Sequence, residues 1–317
     1  MDWTAEIEAA AGRIAGHVVD TPVLQSDVLW DRPVALKLEQ LQHTGSFKAR
    51  GAFNTLQSVE VPEGGVVAAS GGNHGAAVAY AARKLGYRAR IYVPEIAGPS
   101  KIALIERTGA DLTVVPGEYA DALSMAKRYE EEQGAMQVHA YDAPQTVAGQ
   151  GTVMRDWEAQ GLEADTVLIA VGGGGLVAGA LGWLEGRRKV VAVEPMACNT
   201  LDAALEAGAP VDVAVSGVAA NALGARRIGQ ICFDLARAQG TEVVKVPDGA
   251  ILEAQKRLWQ AHRLLVEPAG ACALAALQWG AYVPAPDERV AVLLCGGNVS
   301  PDPMQVAMGG PGEEKSR

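Results

Sequence analysis

The chain has 317 residues, of which 49% are hydrophobic and 20% are charged, so it can bury a large core and its length suggests about two domains. Its formal net charge of -10 argues against nucleic acid and anionic membranes as partners, because both are bound through clustered Lys and Arg. The four cysteines are widely spread without a CxxC pair, which indicates neither a zinc site nor disulfides and favours a cytoplasmic location.

The N-terminal segment predicts a helix and no export signal. Acidic residues begin at Asp2, and Ile7, Ile14 and Val18 follow helical spacing, unlike the basic-then-apolar pattern of a signal peptide. No uncharged apolar run approaches the ~18 residues of a membrane span. We therefore expect no membrane contact.

Further along the chain, short runs rich in Val, Ile and Ala alternate with helical patterns, which predicts an α/β fold. We expect open, twisted, mostly parallel sheets flanked by helices. The predicted strands are 34–38, 66–70, 89–94, 111–116, 167–172, 189–195, 242–247 and 290–295. The clearest predicted helices between them are 74–85, 100–108 and 248–264.

Lys48 stands in the segment KLEQLQHTGSFKARGAFNTL, after a strand and a Thr-Gly-Ser turn and at the start of a helix. Considered alone, a lysine in the first turn of a helix is expected to be solvated. A lysine tucked into a strand-to-helix junction would instead have its pKa lowered by desolvation, which frees the amine for Schiff-base chemistry. Other motifs must decide between these interpretations.

A glycine-rich loop of five residues, Ser70 to His74, follows the strand at 66–70 and opens a helix. Its backbone N–H groups would point outward at the positive end of that helix, as in a binding site for a substrate carboxylate. Asn73 could add a side-chain donor. The alternative is a flexible connection without a ligand.

A second loop, VGGGGL at 171–176, repeats this arrangement with four glycines, which would let backbone amides approach a phosphate closely. It lacks the Lys-Ser/Thr of a P-loop, and no acidic ribose ligand follows at the spacing of a dinucleotide fingerprint. A phosphate without a nucleotide is the better interpretation, with a tight packing turn as the alternative. Cys295, in CGGN at the end of the last strand, stands at an edge where ligands bind or is a buried structural thiol.

Taken in order, TGSFK, SGGNHG, AGQGT, VGGGGL, VEPAGA and CGGN resemble the fold-type II pyridoxal-phosphate enzymes, whose fold is that of the tryptophan synthase β chain. The motifs are most similar to the threonine/serine dehydratase and serine racemase branch, from about residue 21 to residue 300. The resemblance implies pyridoxal 5'-phosphate as cofactor and a homodimer. It also implies a large domain of residues 1–52 and 146–317 and a small inserted domain of residues 53–145.

The resemblance also implies a role for each motif residue. Lys48 matches the lysine that forms the Schiff base, Phe47 lies beside the cofactor ring, and Cys295 meets the pyridine nitrogen. The residues that match the phosphate cup are Gly172, Gly173, Gly174, Gly175 and Leu176. The residues that match the substrate carboxylate loop are Ser70, Gly71, Gly72, Asn73 and His74, and Asn73 also matches the residue that binds the 3'-oxygen of the pyridine.

The reaction that this resemblance implies is β-elimination. Lys48 takes the Cα proton of a small β-hydroxy amino acid, the hydroxyl leaves with the cofactor phosphate as the candidate acid, and a 2-oxo acid and ammonia result. The substrate stays open among serine, threonine, 3-hydroxyaspartate and bulkier β-hydroxy amino acids.

Three alternatives remain: an amino-acid racemase, a β-replacement transferase of the cysteine-synthase type, and a non-catalytic amino-acid or cofactor-binding protein. Racemases of this branch carry a serine where this chain has Gly71, so a base for the second face is missing. Cysteine synthases usually show a different asparagine loop and a Gly-Thr-Gly-Gly turn. A binding protein would be plausible only if Lys48 were replaced.

Two further positions depart from the family pattern. Most dehydratases have a serine where this chain has Cys295, whose thiol has an ordinary pKa of about 8.5 and stays mostly neutral. Some relatives bind a divalent cation through Glu-Pro and a following Asp. Glu194-Pro195 is present, but Thr200 replaces the expected Asp, so we expect no metal, with Glu194 as a weak candidate ligand.

Overall fold

The computed structural model describes residues 1–117 and 119–300. Its strands, in chain order, are β1 (Val23–Ser26), β2 (Val34–Leu38), β3 (Val66–Ala69), β4 (Ala89–Pro94), β5 (Asp111–Val115), β6 (Met136–Gln137), β7 (Thr166–Ala170), β8 (Lys189–Pro195), β9 (Glu242–Val246) and β10 (Val290–Leu294). Its helices are α1 (Trp3–Ile14), α2 (Lys48–Ser58), α3 (Asn73–Lys84), α4 (Pro99–Glu106), α5 (Tyr119–Gln133), α6 (Pro144–Ala159), α7 (Gly175–Leu184), α8 (Thr200–Ala207), α9 (Ala220–Leu223), α10 (Gln230–Gln239), α11 (Asp248–His262) and α12 (Pro268–Trp279).

The strands form two sheets, which confirms the predicted α/β fold with mostly parallel sheets flanked by helices. The first sheet has the order β1-β2-β10-β7-β8-β9, and the second has the order β5-β4-β3-β6. The β1–β2 pair is antiparallel, and every other described pair is parallel. All eight predicted strands are present to within two residues at each end, whereas β1 and β6 were not predicted.

The apolar runs of the sequence become strands and helices that are covered on both faces. All five residues of β7 and of β10 are buried, and so are all ten residues of α7. Parallel strands read as continuous apolar runs because helices cover the sheet from both sides. In the part of the chain that the structure describes, no helix is both long and apolar enough to cross a bilayer.

The division into two domains stays a prediction. Strands β3 to β6, which build the second sheet, all lie within the segment 53–145. The two boundaries of that segment fall inside α2 and α6, which pack against each other. Residues 301–317 of the predicted large domain lie outside the described residues.

The AGQGT motif lies in α6, where two glycines allow neighbouring helices to approach closely. A Cβ atom on Gly149 would lie 2.6 Å from the Cα atom of Gly51 in α2, and one on Gly151 would lie 3.0 Å from the carbonyl oxygen of Gly179 in α7. Any larger residue would push these helices apart. The motif therefore fixes α6 between the helix that begins at Lys48 and the helix that follows the VGGGGL loop.

Arg50, in the first turn of α2, is completely buried and joins three elements. Its Nε and Nη2 atoms donate to the two carboxylate oxygens of Glu39 at 2.9 Å each. Its Nη1 atom donates to Asp156 at 2.6 Å and to Thr152 at 3.1 Å, both on α6. A buried guanidinium is tolerated only when such partners satisfy it, so its geometry fixes α2 relative to the end of β2 and to α6.

Arg50→Leu should destabilise the protein by about 3–5 kcal/mol, because it leaves the buried Glu39 carboxylate without its counter-charge. Urea denaturation of the cofactor-free protein measures the change in the free energy of unfolding. Arg128→Ala is the matched control, since its pair with Glu132 is exposed and its loss should leave the unfolding midpoint unchanged. Equal effects of the two substitutions would show that the buried network does not stabilise the fold.

Candidate active site

A cleft of about 610 Å³ lies where loops from both sheets meet, and it contains most of the residues predicted from the sequence. The predicted residues that line it are Phe47, Lys48, Ser70, Gly71, Gly72, Asn73, His74, Gly172, Gly174, Gly175, Leu176 and Cys295. Gly173 belongs to the same loop but does not line the cleft, and Glu194 lies elsewhere. A volume of this size suits a cofactor together with a small substrate.

Lys48 begins α2 and points its amine into the cleft. The loop before it is fastened to the end of β10, where the Phe47 N–H donates to the Cys295 carbonyl at 3.2 Å and Ser46 forms a bridge with Gly296. The Nζ atom donates to the carbonyl of Ala140 at 2.8 Å and lies 5.1 Å from the centre of the Phe47 ring. Burial lowers the pKa of Lys48 to about 8. Lys48 is therefore a half-buried residue of the cleft rather than a residue of the outer surface.

The Ser70 to His74 loop forms one wall of the cleft and opens α3 without a side-chain cap on its first turn. Gly71 packs so tightly that a Cβ atom there would lie 2.4 Å from the Cβ of Ala97. The His74 ring turns to the carbonyl of Val138, 2.8 Å from its Nε2 atom. Burial, aided by the charge of Lys48, lowers the pKa of His74 to about 3, so a neutral ring donates this bond. His74 can therefore serve the loop through its backbone amide rather than as an acid or base.

The opposite wall is the glycine loop that leads into α7. Gly174 has a φ of 91°, a conformation that favours glycine, and no side chain caps the first turn of the helix. The ring of Tyr141 occupies the space beside Gly173, where a Cβ atom would lie 2.3 Å from the ring. The loop thus presents the N-terminus of a ten-residue helix to the cleft, as a phosphate site requires.

Cys295 follows β10 and closes the inner end of the cleft. Its thiol lies 3.4 Å from the carbonyl of Ala269 and donates its proton there. Burial raises the pKa of this thiol well above its usual range, and the neighbouring carboxylate of Glu267 adds to the effect. The sulfur is therefore a neutral group at the cleft wall.

The structure adds residues that the sequence analysis did not assign to the site. Glu267, from VEPAGA, is buried in the cleft wall and accepts a hydrogen bond from Asn73 at 2.6 Å. Lys101 of α4 also lines the cleft, and its Nζ atom donates to the carbonyl of Asn221 at 3.1 Å. The VEPAGA motif could have pointed to Glu267 from the sequence. No sequence pattern marks Ala140, which contacts Lys48, or Tyr141, which contacts the glycine loop.

Glu194, the weak candidate for a metal ligand, caps a helix instead. Its carboxylate accepts the N–H groups of Leu201 at 2.7 Å and Asp202 at 3.0 Å, in the first turn of α8. Burial raises the pKa of Glu194 to about 7. Among residues 1–117 and 119–300, no three His, Cys, Asp or Glu side chains are grouped as metal ligands would be.

The residues of the cleft fit the cofactor that the motifs imply. An aldehyde needs an amine that loses its proton near neutral pH, which the lowered pKa of Lys48 provides. A phosphate needs free amides at a helix end, which the uncapped start of α7 provides. Asn73 and Cys295 line the cleft as polar groups that can contact a pyridine ring between these two anchors.

Comparison with known proteins places this site in a family. The family model described as pyridoxal-phosphate dependent enzyme matches residues 14–296. A phenylserine dehydratase from Ralstonia pickettii is 35% identical, over 92% of this chain and 93% of that protein. The structure of maize serine racemase superposes with a TM-score of 0.89 at 30% identity, covering 96% of each chain. A threonine deaminase from T.th. gives a TM-score of 0.86 at 36% identity, covering 93% of this chain and 98% of that one.

The family match spans most of the chain, and these relatives and neighbours agree with the motifs that the cleft brings together. The chain belongs to the pyridoxal-phosphate dependent enzymes.

Proposed function

We propose that this chain is a dehydratase that converts a β-hydroxy amino acid to a 2-oxo acid and ammonia. The observation that carries the proposal is the amine of Lys48, with its pKa lowered to about 8, in a cleft between two uncapped helix N-termini. Its relatives include a phenylserine dehydratase and threonine dehydratases, which supports this reaction. The panel of candidate substrates therefore runs from serine and threonine to 3-hydroxyaspartate and phenylserine.

Lys48 has two tasks in this proposal. Its neutral amine would be the nucleophile that holds the cofactor aldehyde, and the same amine, when free, would take the Cα proton of the substrate. The bound cofactor supplies the electron sink that makes this proton acidic. The carbonyl of Ala140, 2.8 Å from Nζ in the present structure, can hold the resulting ammonium within the cleft.

The two loops hold the ends of the reacting system. The amides of the Gly172 to Leu176 loop would bind the phosphate, and Ser70 with the amides through His74 would bind the substrate carboxylate. Anchoring both ends keeps Cα beside Lys48, which is how positioning contributes to rate. The β-hydroxyl is then the group free to leave.

Serine racemase is the second candidate, because serine racemases are among the relatives and structural neighbours. Racemisation needs a proton donor on the face opposite Lys48, within hydrogen-bonding reach of Cα or through one water. Gly71 has no side chain, and Ala97 fills the space in which one would begin. This packing favours elimination.

We also propose a cytoplasmic homodimer. The four cysteines are free and buried, which suits a reducing compartment. Leu252 and Trp259 lie two helical turns apart on α11, and both are about half exposed, so one helix face offers apolar surface to a partner.

Lys48→Ala should abolish both the absorbance of the Schiff base and catalysis, since the nucleophile is lost. Lys101→Met is the matched control, because it removes another lysine that lines the same cleft and should leave the Schiff base on Lys48 intact. Borohydride reduction followed by peptide mapping locates the attachment site. If Lys48→Ala still forms a reducible adduct at the level of the unaltered enzyme, the assignment of Lys48 fails.

Schiff-base formation by the cofactor-free protein should accelerate as pH rises through about 8 and then level off. Only the neutral amine attacks the aldehyde, and burial lowers the pKa of Lys48 to about 8. An exposed lysine, with a pKa near ~10.4, would keep accelerating to pH 10. Stopped-flow absorbance after mixing with pyridoxal phosphate measures the midpoint. A rate that still rises tenfold per pH unit above pH 9 would contradict desolvation of this amine.

The unaltered enzyme should release 2-oxo acid and ammonia from at least one β-hydroxy amino acid of the panel while forming no D-amino acid. An oxo-acid assay beside chiral chromatography measures both products. Interconversion of L- and D-serine as fast as pyruvate formation would overturn the choice of dehydratase over racemase. In Gly71→Ser combined with Ala97→Gly, the second change makes room for the new Cβ, and the racemisation-to-elimination ratio should rise about tenfold. Ala97→Gly alone is the control and should leave the ratio unchanged.

A further inference from the structure

The side-chain amide of Asn73 is held at both ends by residues that come from the other side of the cleft. Its Nδ2 atom donates to Oε1 of Glu267 at 2.6 Å. Its Oδ1 atom accepts from Nδ2 of Asn298 at 2.8 Å, and the same nitrogen of Asn298 donates to the carbonyl of Thr44 at 2.7 Å. A carboxylate can only accept and a backbone carbonyl can only accept, so these contacts determine which end of each amide is nitrogen.

Glycines of two motifs make room for the residues that hold Asn73. A Cβ atom on Gly296 would lie 2.0 Å from Oε1 of Glu267, and a Cβ atom on Gly45 would lie 2.5 Å from Oδ1 of Asn298. A larger residue at either position would displace the side-chain end of the partner that holds Asn73. The TGSFK, VEPAGA and CGGN motifs therefore converge on the orientation of one side chain in the SGGNHG loop.

Glu267 is the less expected of the two partners, because a carboxylate is rarely buried without a counter-charge at contact distance. Desolvation raises the pKa of Glu267 to about 7, while the Asn73 hydrogen bond and the charge of Lys101 oppose this shift. This buried carboxylate makes a side-chain hydrogen bond with Asn73. Here its acceptor oxygen takes one of the two Nδ2 hydrogens of Asn73 and leaves the other for a ligand in the cleft.

We infer that Glu267 is a positioning residue that turns the amide N–H of Asn73 towards the 3'-oxygen of the pyridine ring. The inference rests on the proposed role of Asn73 in cofactor binding. Without Glu267 only the hydrogen bond from Asn298 holds the amide, so its N–H is no longer firmly directed at the cofactor oxygen. The protein should then lose the part of its affinity for pyridoxal phosphate that comes from the 3'-oxygen. It should keep the part that comes from the phosphate and the aldehyde.

Titration of the cofactor-free proteins tests this directly, with tryptophan fluorescence as the readout at pH 8.5, above the pKa of about 7 of Glu267. Each protein is titrated with pyridoxal 5'-phosphate and with 3-deoxypyridoxal 5'-phosphate, which lacks the 3-hydroxyl. The quantity compared is the dissociation constant of the analogue divided by that of pyridoxal phosphate, which falls when binding through the 3'-oxygen is lost. Glu267→Ala should weaken binding of pyridoxal phosphate about tenfold and leave binding of the analogue unchanged.

Glu267→Gln should stay within about threefold of the unaltered protein, because its amide oxygen can accept the same hydrogen bond. Glu194→Gln is the control for loss of a buried carboxylate outside the cleft, and it should not change the ratio. Thermal melting of each variant confirms that it is folded. If Glu267→Gln loses as much as Glu267→Ala, the charge rather than the orientation matters and the inference is overturned.

Equal weakening of both ligands by Glu267→Ala, or weakening of neither, would also overturn the inference. Asn73→Ala must lower the ratio at least as far as Glu267→Ala does, and if it does not, Asn73 does not contact the 3'-oxygen and both statements fail together. Titration needs no turnover, so a chain that binds the cofactor as described but fails to release 2-oxo acid would refute the dehydratase proposal alone.

Discussion

The buried guanidinium of Arg50 determines where the reactive amine can be. Arg50 lies two residues after Lys48, and its four hydrogen bonds reach Glu39 at the end of β2 and Thr152 and Asp156 on α6. Because a buried charge is destabilising unless its partners stay in place, α2 has little freedom to shift or rotate. The close approach of Gly51 to Gly149 acts on the same helix pair. The start of α2, and with it Lys48, is thereby fixed against the first sheet.

From that anchor, the parallel topology brings the remaining groups to Lys48. The SGGNHG loop follows β3 of the second sheet, while the glycine loop and Cys295 follow β7 and β10 of the first. All of them leave the carboxyl ends of strands, so loops far apart in sequence open onto one cleft. Asn73 links the two sides, since its amide bonds to Glu267 and Asn298. Side-chain hydrogen bonds therefore join the two walls of the cleft, and residues of α4 and α9 complete its lining.

What the sequence could predict follows from the physical origin of each feature. The central strands are buried on both faces and therefore appear as continuous apolar runs, whereas β1 is a four-residue edge strand and β6 has only two residues, too few for a pattern. The motif residues that line the cleft were found because glycine loops at the starts of helices are a local pattern that often binds anions. The contacts of Lys48 with Ala140, and of Gly173 with Tyr141, depend on backbone and ring positions that no local pattern encodes. Glu267 was quoted with its motif, but its burial depends on the distant Gly296.

The structure also changes the reason why Gly71 matters. From the sequence, glycine at this position is only the absence of a hydroxyl, and a single substitution would restore it. In the fold, Ala97 lies where the Cβ of any larger residue would begin, so packing as well as the missing hydroxyl works against a donor at this position. The thiol of Cys295, which also lines the cleft, donates to Ala269 and has a raised pKa, so it would offer the pyridine nitrogen of a bound cofactor no anionic partner. A neutral thiol there would give a bound cofactor a weaker electron sink, and the packing at Gly71 would leave the second face of Cα without a proton donor. In the proposed dehydratase, both features would favour expulsion of the β-hydroxyl over reprotonation of Cα.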